Sequence, residues 1–73
     1  MTDKEANEII DETIKPLWPD WNISDAELLV WVRKIRKYDR VNAKAAIADY
    51  YASKDGGYKK PKLAGVLATI SAR

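Results

Sequence analysis

The 73-residue chain has no cysteine, no histidine and no phenylalanine, only three glycines and three prolines, and no long apolar run. Without cysteine there is neither a disulfide nor thiol chemistry. Without histidine, the commonest general base and the commonest zinc ligand are both missing. The hydroxyls at Ser24, Ser53 and Ser71 have no activating partner in the sequence. The opening MTDKEANE is acidic and polar where a signal peptide needs a basic and then an apolar segment. No stretch approaches the roughly 18 apolar residues of a membrane span. No catalytic, cofactor or metal site is therefore expected, and the chain reads as cytoplasmic.

What is present is core material. With 47% hydrophobic residues, three Trp and four Tyr, the composition is that of a folded domain and not of a disordered tail. A chain of this length buries roughly 60% of its unfolded surface, enough for one domain over residues 1–73 and little for a deep pocket. The N-terminal part of a longer protein would have the same look. Charge is split along the chain: residues 1–27 carry eight acids and two bases, and residues 28–73 carry eleven bases and three acids, within a net charge of +2. Such a split points to an acidic partner for the basic half, or to an acidic first helix lying against basic neighbours.

The periodicity predicts four helices and no strands, a small all-α four-helix bundle. Thr2-Asp3-Lys4-Glu5 has the form of a capping box, and apolar residues then recur at spacings of three and four, giving a helix over about 3–15. Pro16 and Pro19 bracket a segment that is expected to fold back as a hydrophobic corner, with Trp18 partly exposed there as a partner anchor. A second box at Ser24 to Glu27 opens a helix over about 25–37. Asp39 caps a third over about 40–54, where Val41, Ala45, Ala48 and Ala52 mark one stripe and Gly56 or Gly57 supplies a left-handed stop. Pro61 fits the first turn of a fourth helix over about 61–72. The expected core is Ile10, Ile14, Leu28, Trp31, Val32, Ile35, Ile47, Tyr51, Val66, Leu67 and Ile70.

Two basic stretches are candidate sites. VRKIRKYDR, residues 32–40, holds five cations in nine positions. Cations in the last turn of a helix offset its dipole, and Lys34 and Lys37 need no further reason. Arg40 and Lys44 carry the charge past the turn onto the third helix, so Arg33, Arg36, Lys37, Arg40 and Lys44 form either a solvated face or a functional patch. GGYKKPK, residues 56–62, sets Tyr58 beside Lys59, Lys60 and Lys62. Rings that stack on bases and cations that follow phosphates are what single-stranded nucleic acid needs, although a soluble loop has the same composition. A helix-turn-helix reading of the second and third helices is weak, because the third is rich in Ala and Tyr rather than Arg, Gln and Asn. Glu8, Asp11 and Glu12 read as a solvated acidic face.

The order of these features resembles a family. ELLVWVRKIRKYD, then VNAKAAIADYY, a polar gap and KPKLAGVLATI are similar to the helical domain of small phage proteins that load and inhibit replicative helicases. The shared positions are Trp31, Tyr38, Asp39, Val41, Ala46, Ile47, Tyr50, Tyr51 and Pro61. The resemblance implies an all-helical adaptor without enzymatic activity, which hands a replicative helicase to an origin-bound initiator while restraining it. That family's helical domain is usually followed by a flexible tail that contacts the helicase. Here the chain ends at Arg73, so no tail residue is carried over. The expected partner is thus a helicase or initiator, met by the basic surface, and the chain is a monomer or weak homodimer. A small nucleic-acid-binding protein using the same patch with Tyr58, Lys59, Lys60 and Lys62 is the alternative, and a structural helical domain is the third reading.

Overall fold

The computed structural model describes residues 1–73, the side chain of residue 55 excepted. Helix α1 starts at Asp3, where Thr2 Oγ1 accepts from the Glu5 amide at 3.1 Å and Glu5 Oε1 accepts from the Thr2 amide at 3.0 Å. Both halves of the capping box are therefore made. The hydrogen bonds from Thr2, backbone first, hold the Glu5 carboxyl below its ordinary pKa, and Arg40 adds to the effect.

α1 runs as α-helix over Asp3–Ile9, as a π-helical turn over Ile10–Ile14, and as a last α-helical turn over Lys15–Leu17. The expected stop at Lys15 is thus two residues early. Proline inside a regular helix lacks an amide and drives its ring into the carbonyl four residues back. The wider turn before Pro16 relieves that clash, with the Lys15 amide reaching back five residues to the Ile10 carbonyl. Trp18 then rejoins the α pattern through the Ile14 carbonyl at 3.2 Å.

Helix α2 spans Asp25–Ile35, capped by Ser24 Oγ on the Glu27 amide at 3.2 Å. Helix α3 spans Arg40–Ala52, capped by Asp39 Oδ2 on the Asn42 amide at 3.1 Å. α2 and α3 both stop about two residues before the expected ends. A 3-10 turn over Lys54–Gly57 follows α3, and no glycine has a positive φ, so the expected left-handed stop is absent. Gly56 serves a different need. A Cβ there would fall on the carbonyl oxygens of Tyr50 and Tyr51, and only glycine lets the turn fold back so tightly. Helix α4 spans Leu63–Ser71, with Pro61 buried just outside it rather than in its first turn.

α1 and α4 each pack against both α2 and α3, while α2 and α3 make little contact of their own. The Cα extents of 29 × 28 × 18 Å correspond to two layers of helices, since packed helix axes lie about 8–10 Å apart. The protein is a small all-α bundle of four helices, with no strand among the described residues. Its core holds Ile9, Ile10, Ile14, Ile35, Ile47 and Val66 with essentially no exposure, together with all three Trp. Trp21 and Trp31 pack with centroids 4.9 Å apart and ring planes tilted by 60°.

Three parts of the expected core differ. Tyr50 and not Tyr51 is buried, and Leu28 and Leu67 are only half-buried at its edge. Trp18 is 3% exposed, so it is not a partner anchor. Its indole N–H donates to the Gly56 carbonyl at 3.2 Å, a partner 38 residues away. On α3 the buried face is Ala43, Ala46, Ile47 and Tyr50, which turns the expected stripe outward.

Candidate functional site

The basic patch begins where α2 ends. The ammonium group of Met1 donates to the carbonyls of Arg36 at 2.8 Å and Tyr38 at 3.2 Å, so a cation already sits on that helix end. Arg36 pairs with Asp3 at 2.9 Å, and Arg40 lies 3.7 Å from both Glu5 and Glu8. These pairs hold the acidic α1 against the basic α2 and α3, as the split of charge along the sequence leads one to expect. They also occupy two of the five arginines and lysines expected to form the patch. Arg33, Lys37 and Lys44 are exposed and have no carboxylate within ion-pair distance among the described residues, and the same holds for Lys34.

Of the expected patch, Lys44 belongs to the outward face of α3. Val41 is 73% exposed, Ala48 and Ala52 are exposed, and Lys44 flanks them. Val41, Ala48 and Ala52 follow the helical repeat, so they line one face. The sequence contains two overlapping stripes on this helix, and the one with the larger side chains, Ile47 and Tyr50, is the one that is buried. Side-chain volume was the signal that could have separated them, because burial scales with apolar area. The exposed residues Leu29 and Val30 on α2 were also missed as surface features.

The second basic stretch lies at the other end of α3. A helix of this length rises about 20 Å, so Arg40 and the residues after Ala52 are far apart. The structure therefore does not bring Lys59, Lys60 and Lys62 to the patch on α2 and α3. Of the three, Lys59 lines a cleft of about 300 Å³, together with Leu17, Trp18, Pro19, Asp20, Tyr51, Gly56, Gly57 and Tyr58. Tyr58 is 56% exposed, with the Lys62 ammonium 5.0 Å from its ring centre. Tyr51 stands edge-on to Trp18 at 5.3 Å. Its lining combines three aromatic rings, Trp18, Tyr51 and Tyr58, with one cation, Lys59, and one carboxylate, Asp20.

Four acidic residues of α1, Asp3, Glu5, Glu8 and Asp11, lie within ion-pair distance of cations, and Glu12 is exposed. Asp11 pairs with Lys15 at 2.9 Å, and Glu8 faces Arg40. Among the described residues no three carboxylates converge as a metal-ligand group, and no helix is long and apolar enough to cross a membrane. Comparison with known protein families, curated proteins and solved structures finds no match to this chain.

Proposed function

We propose that this chain is a non-catalytic protein-interaction adaptor of phage or prophage DNA replication, of the helicase loader and inhibitor kind. The observation that carries the adaptor reading is the outward face of α3. A helix-packing stripe, Val41, Ala48 and Ala52, faces solvent beside Lys44, which has no carboxylate within ion-pair distance among the described residues. Small side chains let a second helix approach closely, and Lys44, Lys37 and Arg33 would draw in an acidic partner surface and speed encounter. Assignment to replication rests on the resemblance of Trp31, Tyr38, Asp39, Tyr50 and Pro61 to the loader pattern. The partner would be a replicative helicase or its initiator.

A pull-down from host lysate, run with and without nuclease and eluted by rising salt, tests the reading. Recovery of a helicase or initiator despite nuclease is the expected result. Charge reversal at Arg33 and Lys44 should then slow association. Arg36 and Arg40 are poorer choices, because reversing them would also break the contacts to Asp3, Glu5 and Glu8. Partner binding that survives Val41→Asp together with Lys44→Glu would remove the surface assignment.

The cleft supports a second reading, a site for single-stranded nucleic acid, because Tyr51 and Tyr58 present rings beside Lys59. Lys60 and Lys62 would add phosphate contacts. Here the affinity should fall steeply with salt, and each phosphate-contacting lysine replaced by Ala should reduce the slope by about one. Affinity that does not change with salt would reject this reading.

A further inference from the structure

The outer face of α2 is complementary to itself. Its first turn carries Asp25 and Glu27, its last turn carries Arg33 and Lys34 with Arg36 as the C-cap, and between them Leu29 and Val30 are 51% and 47% exposed. A helix with acids at one end, bases at the other and an apolar middle matches an antiparallel copy of itself. We propose that α2 is the contact surface of a symmetric homodimer, packed antiparallel against α2 of a second copy about a two-fold axis. This goes beyond the adaptor reading: it leaves Val41, Ala48, Ala52 and Lys44 on the outward face of α3 free, and it takes up Arg33 and Lys37.

The register follows from the charges. Glu27 and Lys34 are seven residues apart, two helical turns, and so lie on one flank of the helix. Asp25 and Arg36 are eleven apart, three turns, on the other flank. In an antiparallel pair each flank meets the same flank of the copy, so Glu27 would face Lys34 of the second copy, and Asp25 would face Arg36, whose guanidinium also holds Asp3 of its own chain at 2.9 Å and would bridge the two carboxylates. Both pairs are centred on one point, between Val30 and Trp31. Two independent pairs that require the same axis are what an isologous contact needs. That axis brings Val30 against its own counterpart, with Leu29 alongside. A depression of about 390 Å³ lined by Val30, Arg33, Lys34, Arg36 and Lys37 then receives the acidic first turn of the copy.

One helix face is smaller than the roughly 800 Å² per partner of a standard interface, so the dimer is weak and exchanges quickly. Sedimentation equilibrium of the full chain over a range of concentrations is the test. The wild type should self-associate at high concentration and dissociate as salt rises. Glu27→Lys and Lys34→Glu should each weaken self-association, roughly tenfold or more, because each places two like-charge pairs in the interface. An equimolar mixture of the two variants should associate again, since every Lys then meets a Glu. Glu27 also accepts from the Ser24 hydroxyl at 3.3 Å, and loss of that contact alone would not be reversed by mixing. Leu29→Asp, at an exposed position, should abolish association while leaving the helical circular dichroism unchanged. A wild type that stays monomeric, or a mixture no more associated than its components, would overturn the proposal.

Discussion

Gly56 and Gly57 are neighbours in sequence with opposite surroundings. A Cβ on Gly56 meets the carbonyl oxygens of Tyr50 and Tyr51, and the backbone that would have to move also carries the acceptor of the Trp18 indole. Gly56→Ala should cost about 1–3 kcal/mol, the usual range for forcing atoms into a packed site. A Cβ on Gly57 meets nothing within 4 Å, and no glycine here has a positive φ. Gly57→Ala should be neutral or stabilise by up to about 1 kcal/mol through the unfolded state. Urea midpoints of the two variants check the contrast in sign. A second residue-scale outcome concerns acid. Glu5 has its folded pKa lowered, so its contribution is present above the unfolded value and is lost as pH falls through the folded one. Stability measured across the acid range should decline there, and Glu5→Gln should remove that part of the decline.

At the scale of the element, the π-helical turn and Pro16 should be coupled. Deleting the exposed residue Glu12 removes the surplus residue of the turn and would place Pro16 inside a regular helix, at a cost of roughly 3 kcal/mol. Combining the deletion with Pro16→Ala should recover most of that loss. Thermal melts of the two variants decide it, and no recovery would mean that the turn has another cause. The helices themselves were legible because their starts are local. The boxes at Thr2 and Ser24 and the cap at Asp39 are written within four residues, and all three N-caps form, although at Ser24 the Glu27 carboxylate accepts from the hydroxyl and not from the amide that would complete the box. Faces are not local. α3 reads equally well with Ala48 or with Ala46 inward, and the choice falls to whichever stripe carries the bulkier Ile47 and Tyr50. Trp18 looked exposed because its neighbours are prolines, but its acceptor comes from Gly56, far along the chain. The basic stretch was legible as charge. Which of its members remained available depended on Asp3, Glu5 and Glu8 arriving from α1, and spacing does not show that.

For the whole molecule, the ion pairs that join α1 to α2 and α3 are exposed at Arg36–Asp3 and half-buried at Arg40, and surface pairs of this kind contribute at most about 1 kcal/mol each. The fold rests on the core, so raising salt from about 0.1 to about 1 M should shift the urea midpoint little. Self-association through α2 and partner encounter through the lysines should both decline over the same range. One experiment with two readouts thus separates what holds the protein together from what its surface attracts. With a single core, unfolding followed by Trp emission and by helical circular dichroism should coincide.

The Trp21–Trp31 pair offers a way to watch the fold without a label. Two indoles 4.9 Å apart and inclined at 60° couple their electronic transitions, so the pair should give a split, sign-alternating band in the far-ultraviolet dichroism. One ring belongs to the corner between the two prolines and the cap, and the other to α2. The couplet therefore reports the docking of that corner on the helix, and replacing either Trp with Phe should erase it while the helical signal remains.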